Sequence, residues 1–205
     1  MDIKEFVQAD NPSPKFIRLV EHAHRLFWRY GIKRVTVEEI CRTAGVSKMT
    51  FYNHFKNKID LALYVLRKVM QAGMRAYRDI MDREVPFTEK AEDFIQMKMA
   101  ASDEVSREIL DELMHSPIPE IAEFIRRQQQ QNVQILLADL TAAQEKGEIR
   151  RDIKPEFLLY FISRMIEMAS DERMISLYDS PRGVSEEILN LFFYGILPRL
   201  RNGEL

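Results

Sequence analysis

The sequence predicts an all-α protein with a small N-terminal head of three short helices and a larger helical body, about nine helices in total. Three observations support this. The chain has only 7 Gly in 205 residues, with 46% hydrophobic and 30% charged residues, a composition that suits packed helices. Apolar residues recur every three or four positions along most of the chain, and no convincing strand pattern interrupts them. Residues that start and stop helices flank those runs.

The head opens at Ser13-Pro14, a capping residue followed by a proline suited to the first helical position. Ile17, Val20, Ala23, Phe27 and Tyr30 follow at helical spacing, and Gly31 ends the run. Thr36-Val37-Glu38-Glu39 has the form of a capping box, a hydroxyl followed three residues later by a Glu. Ile40 and Ala44 face inward on this second helix, and Gly45 closes it. Val46 plugs the turn, and Ser47 caps a third helix from Lys48 to about His54. Asn57 then caps a long fourth helix with Asp60 in its first turn.

In the body, the fourth helix runs through Tyr77 and stops before Val85-Pro86. Helices are predicted from Phe87 to about Ala101 and from Ser102 to about His115, with Ser116-Pro117-Ile118-Pro119 as the next break. A long helix ends at Gly147, and another runs from Pro155 to about Tyr178. Ser180-Pro181-Arg182-Gly183 reads as a turn, and Ser185 as the cap of a last helix reaching about Leu197.

Charge is divided unevenly. Residues 1–58 hold 11 Lys and Arg against 6 Asp and Glu, a net of +5, while the other 19 basic and 26 acidic residues give the body −7. A basic head on an acidic body suits a polyanionic partner for the head. No apolar run is long enough to span a membrane, and the first residues lack the apolar core of a secretory signal. The lone Cys41 forms no internal disulfide and fits a reducing, cytoplasmic setting. The four His and one Cys show no metal-ligand spacing, and no nucleophile–base pair stands out. No metal, cofactor or enzymatic activity is therefore expected. Cys41, and His22 and His24 on the first helix, are read as packing residues.

Helix, glycine turn and short helix after a supporting helix form a helix-turn-helix pattern, whose second helix enters the DNA major groove. Phe51 and Phe55, four apart, would anchor that helix, leaving Lys48, Met49, Tyr52 and Asn53 on its other face. Phe27, Gly31, Thr36-Val37, Ile40, Ala44-Gly45-Val46-Ser47, Thr50, Tyr52, His54-Phe55 and Lys56-Asn57-Lys58 together resemble the TetR/AcrR family of bacterial transcriptional regulators. The run from Thr50 to Lys58 fits that family's T-[LIVF]-Y-x-[YH]-F-x-[SN]-K pattern throughout. Met49 departs from it, standing where a small residue is common.

The resemblance implies a DNA-binding domain over residues 1–58 and a ligand-binding and dimerisation domain over 59–205. It implies contacts to double-stranded DNA from Thr36, Lys48, Met49, Thr50, Tyr52, Asn53, His54 and Lys58. Thr36, Tyr52 and Lys58 are expected at phosphates, and Lys48, Met49 and Asn53 at base edges. His54 reads equally well as a phosphate contact or as packing against the first helix.

Residues 157–169 and 188–197 are apolar around most of their circumference, so each of these helices should pack on two sides. A second copy of the chain is the simplest partner for the outer side. The resemblance also implies an effector pocket in the body, with Phe94, Met97, Phe124, Gln128, Asn132, Phe161, Arg164 and Met165 as candidates. For Arg164 an ion pair with Glu167 is the favoured alternative. The expected function is a homodimeric repressor released from a palindromic operator by a small ligand. A ligand-dependent activator, or a helical enzyme or interaction protein without DNA binding, are the alternatives.

Overall fold

Side chains cap each helix of the head where the sequence predicts. Ser13 Oγ accepts from the Phe16 N–H at 3.3 Å, Thr36 Oγ1 from Glu39 at 3.1 Å, Ser47 Oγ from Thr50 at 3.1 Å, and Asn57 Oδ1 from Asp60 at 2.9 Å. Each bond satisfies a backbone donor that the first turn of a helix leaves without a partner. The computed structural model describes residues 13–102, 105–178 and 181–198, and among these it contains helices and no strand. The helices are α1 Pro14–Tyr30, α2 Val37–Ala44, α3 Lys48–Tyr52, α4 Lys58–Met81, α5 Phe87–Ser102, α6 Arg107–Met114, α7 Pro119–Lys146, α8 Pro155–Ser170, α9 Glu172–Ile175 and α10 Pro181–Ile196.

Four boundaries differ from the sequence reading. α3 ends at Tyr52 rather than His54, as the chain turns through Asn53 into the Phe55 anchor. α6 begins at Arg107 instead of Ser102, because Ser106 supplies the cap through a 3.3 Å bond from the Ile109 N–H. The helix predicted from Pro155 to Tyr178 breaks at Asp171. That residue is extended, with φ −71° and ψ 121°, and its carboxylate accepts from the Arg173 N–H at 2.8 Å, starting α9. This break makes ten described helices where nine were expected. The predicted turn at 180–183 begins outside the described residues at Ser180, and from Pro181 the backbone is already helical.

The described residues divide into two compact units, one within residues 13–77 and 105–125, the other within 78–102, 126–178 and 181–198. In the first, Leu19, Val20, Ala23 and Phe27 form the buried stripe of α1 and pack with Ile40, Cys41 and Ala44 of α2, Phe51, Phe55, and Leu61, Ala62 and Val65 of α4. Ile109, Ile121 and Ile125 complete this core. Cys41 is among its small buried members, and burial pushes its thiol pKa up, as suits an unreactive packing residue.

Gly31 leaves α1 at φ 78° and ψ 158°, a region open essentially to glycine alone. The following loop is held from α6. Glu112 accepts from the Ile32 N–H at 2.7 Å and from the Lys33 N–H at 3.1 Å. A Cβ on Gly31 would lie 2.6 Å from Glu112 Oε1. Gly31→Ala therefore combines backbone strain with displacement of this carboxylate, and about 1–3 kcal/mol of stability should be lost. Urea unfolding is the check, and an unchanged midpoint would contradict this account of the loop.

In the second unit, Phe193 is the centre of an aromatic group, 6.1 Å from Phe87, 5.5 Å from Phe94 and 5.1 Å from Phe192 between ring centroids. Leu158, Ile162 and Met165 are the buried face of α8, and Val184, Ile188 and Ile196 continue that of α10. Arg78 clamps Asp139 with two bonds of 3.1 and 2.7 Å. Gly147, at φ 77°, ends α7. Gln144 satisfies the next turn, donating to the carbonyls of Arg150 and Ile153 at 2.8 Å each.

Candidate nucleic-acid interface

The turn before α3 is set by backbone geometry. Gly45 takes the left-handed conformation at φ 64°, its N–H meets the Arg42 carbonyl at 3.3 Å, and the Val46 N–H meets Cys41 at 3.0 Å. This pair of bonds is a Schellman motif, with half-buried Val46 as its apolar contact to the core. Arg18 of α1 reaches across to the Ala44 carbonyl at 3.2 Å, satisfying another acceptor at the end of α2. The start of α3 is thereby fixed relative to both supporting helices.

α3 has two unlike faces. Phe51 is fully buried and Phe55 4% exposed, while Met49 is 76% and Tyr52 57% exposed. Lys48 and Asn53 are exposed as well. A five-residue helix that leaves a methionine and a tyrosine in water spends surface that burial would otherwise reward. Lys48 pairs with Glu38 in the first turn of α2; this bond lowers the Glu38 pKa and raises that of Lys48.

The remaining predicted contacts are arranged around α3. Thr36 is exposed at the N-terminus of α2. Thr50 is half-buried, and its hydroxyl lies 3.0 Å from Ser47 Oγ, where it supports the cap. His54 sets its ring edge-on against Phe16 of α1 at 5.2 Å and is otherwise exposed. Lys58 is half-buried and donates to the carbonyls of Lys33 at 3.0 Å and Val35 at 2.8 Å. Burial lowers its pKa, with Glu112 pulling the other way. Lys58 thus steadies the segment leading into Thr36, with two of its three N–H groups used inside the protein. His22 meets Arg25 at 2.9 Å, and His24 packs on Trp28 with ring centroids 4.4 Å apart, so both serve α1 itself.

Of the predicted pocket residues, Phe124 belongs to the first unit and the others to the second. Phe124 packs against the core of the first unit. In the second, Phe94 and Met165 are buried and Met97 is half-buried. Half-buried Gln128 bonds to Gln131 at 2.7 Å, Asn132 is exposed, and Arg164 forms its ion pair with Glu167 at 2.6 Å. Phe161, 40% exposed, lies on an outer apolar face. It stacks on Phe157 at 5.8 Å and on Phe192 of α10 at 6.1 Å. Tyr160 and Met168 on α8, and Leu191 and Tyr194 on α10, extend that face, with exposures of 63, 41, 68 and 58%.

Sequence reasoning missed Glu38 as the partner of Lys48 and Glu112 as the clamp on the 31–33 loop. They act across 10 and about 80 residues of chain, with no local pattern to announce them. Among the described residues no helix is long and apolar enough to cross a membrane, and no cluster of His, Cys, Asp and Glu is arranged to hold a metal.

Residues 19–65 match the family model for bacterial regulatory proteins of the tetR family. An HTH-type transcriptional regulator of Staphylococcus aureus is 32% identical over 65 residues, which is 32% of this chain and 35% of that one. The match thus spans about a third of the length of such relatives. Over nearly the full chain, the fold is similar to that of a TetR-family transcriptional regulator from Streptomyces coelicolor (TM-score 0.68, 18% identity, covering 93% of this chain and 92% of that one). It is also similar to the transcriptional regulator FadR from Bacillus subtilis in complex with stearoyl-CoA (TM-score 0.68, 20% identity, covering 88 and 99%). Residues 19–65 thus resemble the N-terminal domain of that family, in a chain whose all-helical fold is similar to that of the Streptomyces coelicolor regulator.

Proposed function

We propose that the protein is a cytoplasmic transcriptional regulator that binds a palindromic operator in double-stranded DNA as a homodimer, and that a small-molecule ligand releases it, making it a repressor. Residues 1–58 are the DNA-binding part and 59–205 the ligand-binding and dimerisation part. The observation that carries this reading is α3, anchored by Phe51 and Phe55 while Met49, Tyr52, Lys48 and Asn53 stay in solvent. Those side chains have the chemistry to meet phosphates and base edges, and the head's net charge of +5 favours a polyanion.

The outer apolar face of α8 and α10 supports dimerisation, since large exposed apolar patches commonly mark an interface. Two-fold symmetry would present two α3 helices to successive major grooves. A body with the fold of the FadR that holds stearoyl-CoA supports ligand control. A ligand acts by favouring one of two states that differ in the spacing of the heads.

The test is binding of the purified protein to a selected operator and its single-base variants. Tyr52→Phe removes a hydroxyl assigned to a phosphate and should weaken all the duplexes alike. Lys48→Ala should instead relax discrimination at one base pair per half-site, by about 1–3 kcal/mol. Equal effects on every duplex from both substitutions would contradict the assignment of roles. Failure of the protein to bind any duplex would contradict the function.

A further inference from the structure

The first compact unit takes in α6, a helix that lies outside residues 1–58 in sequence. Ile109 of α6 is fully buried in the core that also holds Phe27 of α1, Ile40 of α2 and Phe51 of α3. Just before the helix, the Ser106 N–H donates to the Trp28 carbonyl near the end of α1 at 3.2 Å. Packing and a backbone bond thus tie α6 to α1, and Glu112 of α6 meets the loop between α1 and α2.

One carboxylate takes two backbone donors of that loop. Glu112 Oε2 accepts from the Ile32 N–H at 2.7 Å, and Oε1 and Oε2 both accept from the Lys33 N–H at 3.1 Å. Bonds to a charged acceptor are stronger than neutral ones and fix direction as well as distance. The carbonyls of the same loop are held by Lys58, which donates to Lys33 at 3.0 Å and to Val35 at 2.8 Å. Glu112 raises the Lys58 pKa against the effect of burial, so the two charges attract.

Little freedom is left in this segment. Ile32 and Val35 are fully buried, and Lys33 has both its N–H and its carbonyl bonded. The next residue, Thr36, is the N-cap of α2, and α2 runs only eight residues to the Gly45 turn that starts α3. A shift of the loop therefore reaches Thr36 directly, and reaches α3 through one short helix.

We propose that Glu112 is a positioning residue for DNA binding: through the Ile32–Lys33 backbone and Lys58 it sets where Thr36 and the first turn of α2 meet a phosphate. This inference rests on the DNA-binding reading above, and it extends that machinery from residues 1–58 to α6.

The experiment measures the affinity of the full chain for its selected operator, under conditions where urea unfolding shows each variant to be folded. Glu112→Gln keeps the size of the side chain but offers one acceptor oxygen instead of two. It should bind DNA about tenfold more weakly, the equivalent of one charge-assisted bond. The sign decides between two explanations, because general electrostatics predicts tighter binding to a polyanion when a negative charge is removed. Glu112→Asp keeps the charge and falls one methylene short, so it should weaken binding too. If Glu112→Gln fails to fold, Glu112→Asp alone carries the test. Asp111→Asn, at an exposed residue of the same helix that pairs with His115, should not weaken binding. Amide exchange at Ile32 and Lys33 should be faster in the Glu112→Gln protein than in wild type. In a Thr36→Val background, Glu112→Gln should lose much less affinity than it does in wild type, because the two residues serve one contact.

Unchanged or tighter DNA binding by the Glu112 variants, or the same loss with and without the Thr36 hydroxyl, overturns the positioning role. Either result, with wild type bound to its operator, leaves the regulator reading in place. A wild type that binds no duplex sinks both.

Discussion

Phe51→Ala lowers the stability of the head by about 3–5 kcal/mol, as expected for emptying a fully enclosed aromatic site. Tyr52→Ala, at the next residue, leaves stability within about 0.5 kcal/mol, as expected for an exposed side chain. Phe51 has no exposed surface, and its ring lies 5.9 Å from that of Phe55, the other anchor. Without it the short α3 loses its buried side chain in the core shared with α1 and α4, and five residues cannot remain helical unaided. Tyr52 is 57% exposed, and most of its surface contacts water. Urea unfolding of both variants, with DNA binding measured in parallel, separates the two faces. Phe51→Ala should shift the unfolding midpoint and lose DNA binding through unfolding. Tyr52→Ala should keep the midpoint and lose DNA affinity. Similar midpoints for the two variants would mean that α3 is not built as a buried face and a contact face.

Leu191→Glu should convert the proposed dimer to a monomer and lower operator affinity by a hundredfold or more. Leu191 is 68% exposed on the outer face of α10, near the stacked rings of Phe157, Phe161 and Phe192. A carboxylate there faces its two-fold mate across an apolar interface, where desolvation and like-charge repulsion act together. Each subunit should still fold, because the inner face of α10, with Ile188, Phe193 and Ile196, is untouched. The loss on DNA follows from linkage: two joined heads bind two half-sites with a high effective concentration, and separate heads do not. Sedimentation at micromolar concentration reads the assembly directly. A dimer that survives Leu191→Glu would place the interface elsewhere on the chain.

The head was legible because its signals are local. Ser13, Thr36, Ser47 and Asn57 each cap the residue three positions on, and Gly31 and Gly45 carry the positive φ angles that end α1 and α2. Such features act within a few residues and can be read from spacing alone. The break at Asp171 was hidden because the flanking residues keep a helical apolar pattern, and one carboxylate bond to Arg173 decides it. Lys58 was read from its place in the first turn of α4, as a residue for a phosphate. Its bonds to Lys33 and Val35 depend on a loop more than 20 positions away. Arg164 and Glu167 were readable as a pair from their three-residue spacing, whereas aromatic residues such as Phe124 and Phe161 carry no local signal that separates core, outer face and pocket.

Selection of random duplex DNA by the purified full-length protein tests the central claim most directly. The account predicts enrichment of one two-fold-symmetric sequence whose half-sites lie about 10 base pairs apart or a multiple of that, matching two α3 helices on successive major grooves. Recovery of an unenriched pool, or of a single half-site without a symmetry mate, would contradict it.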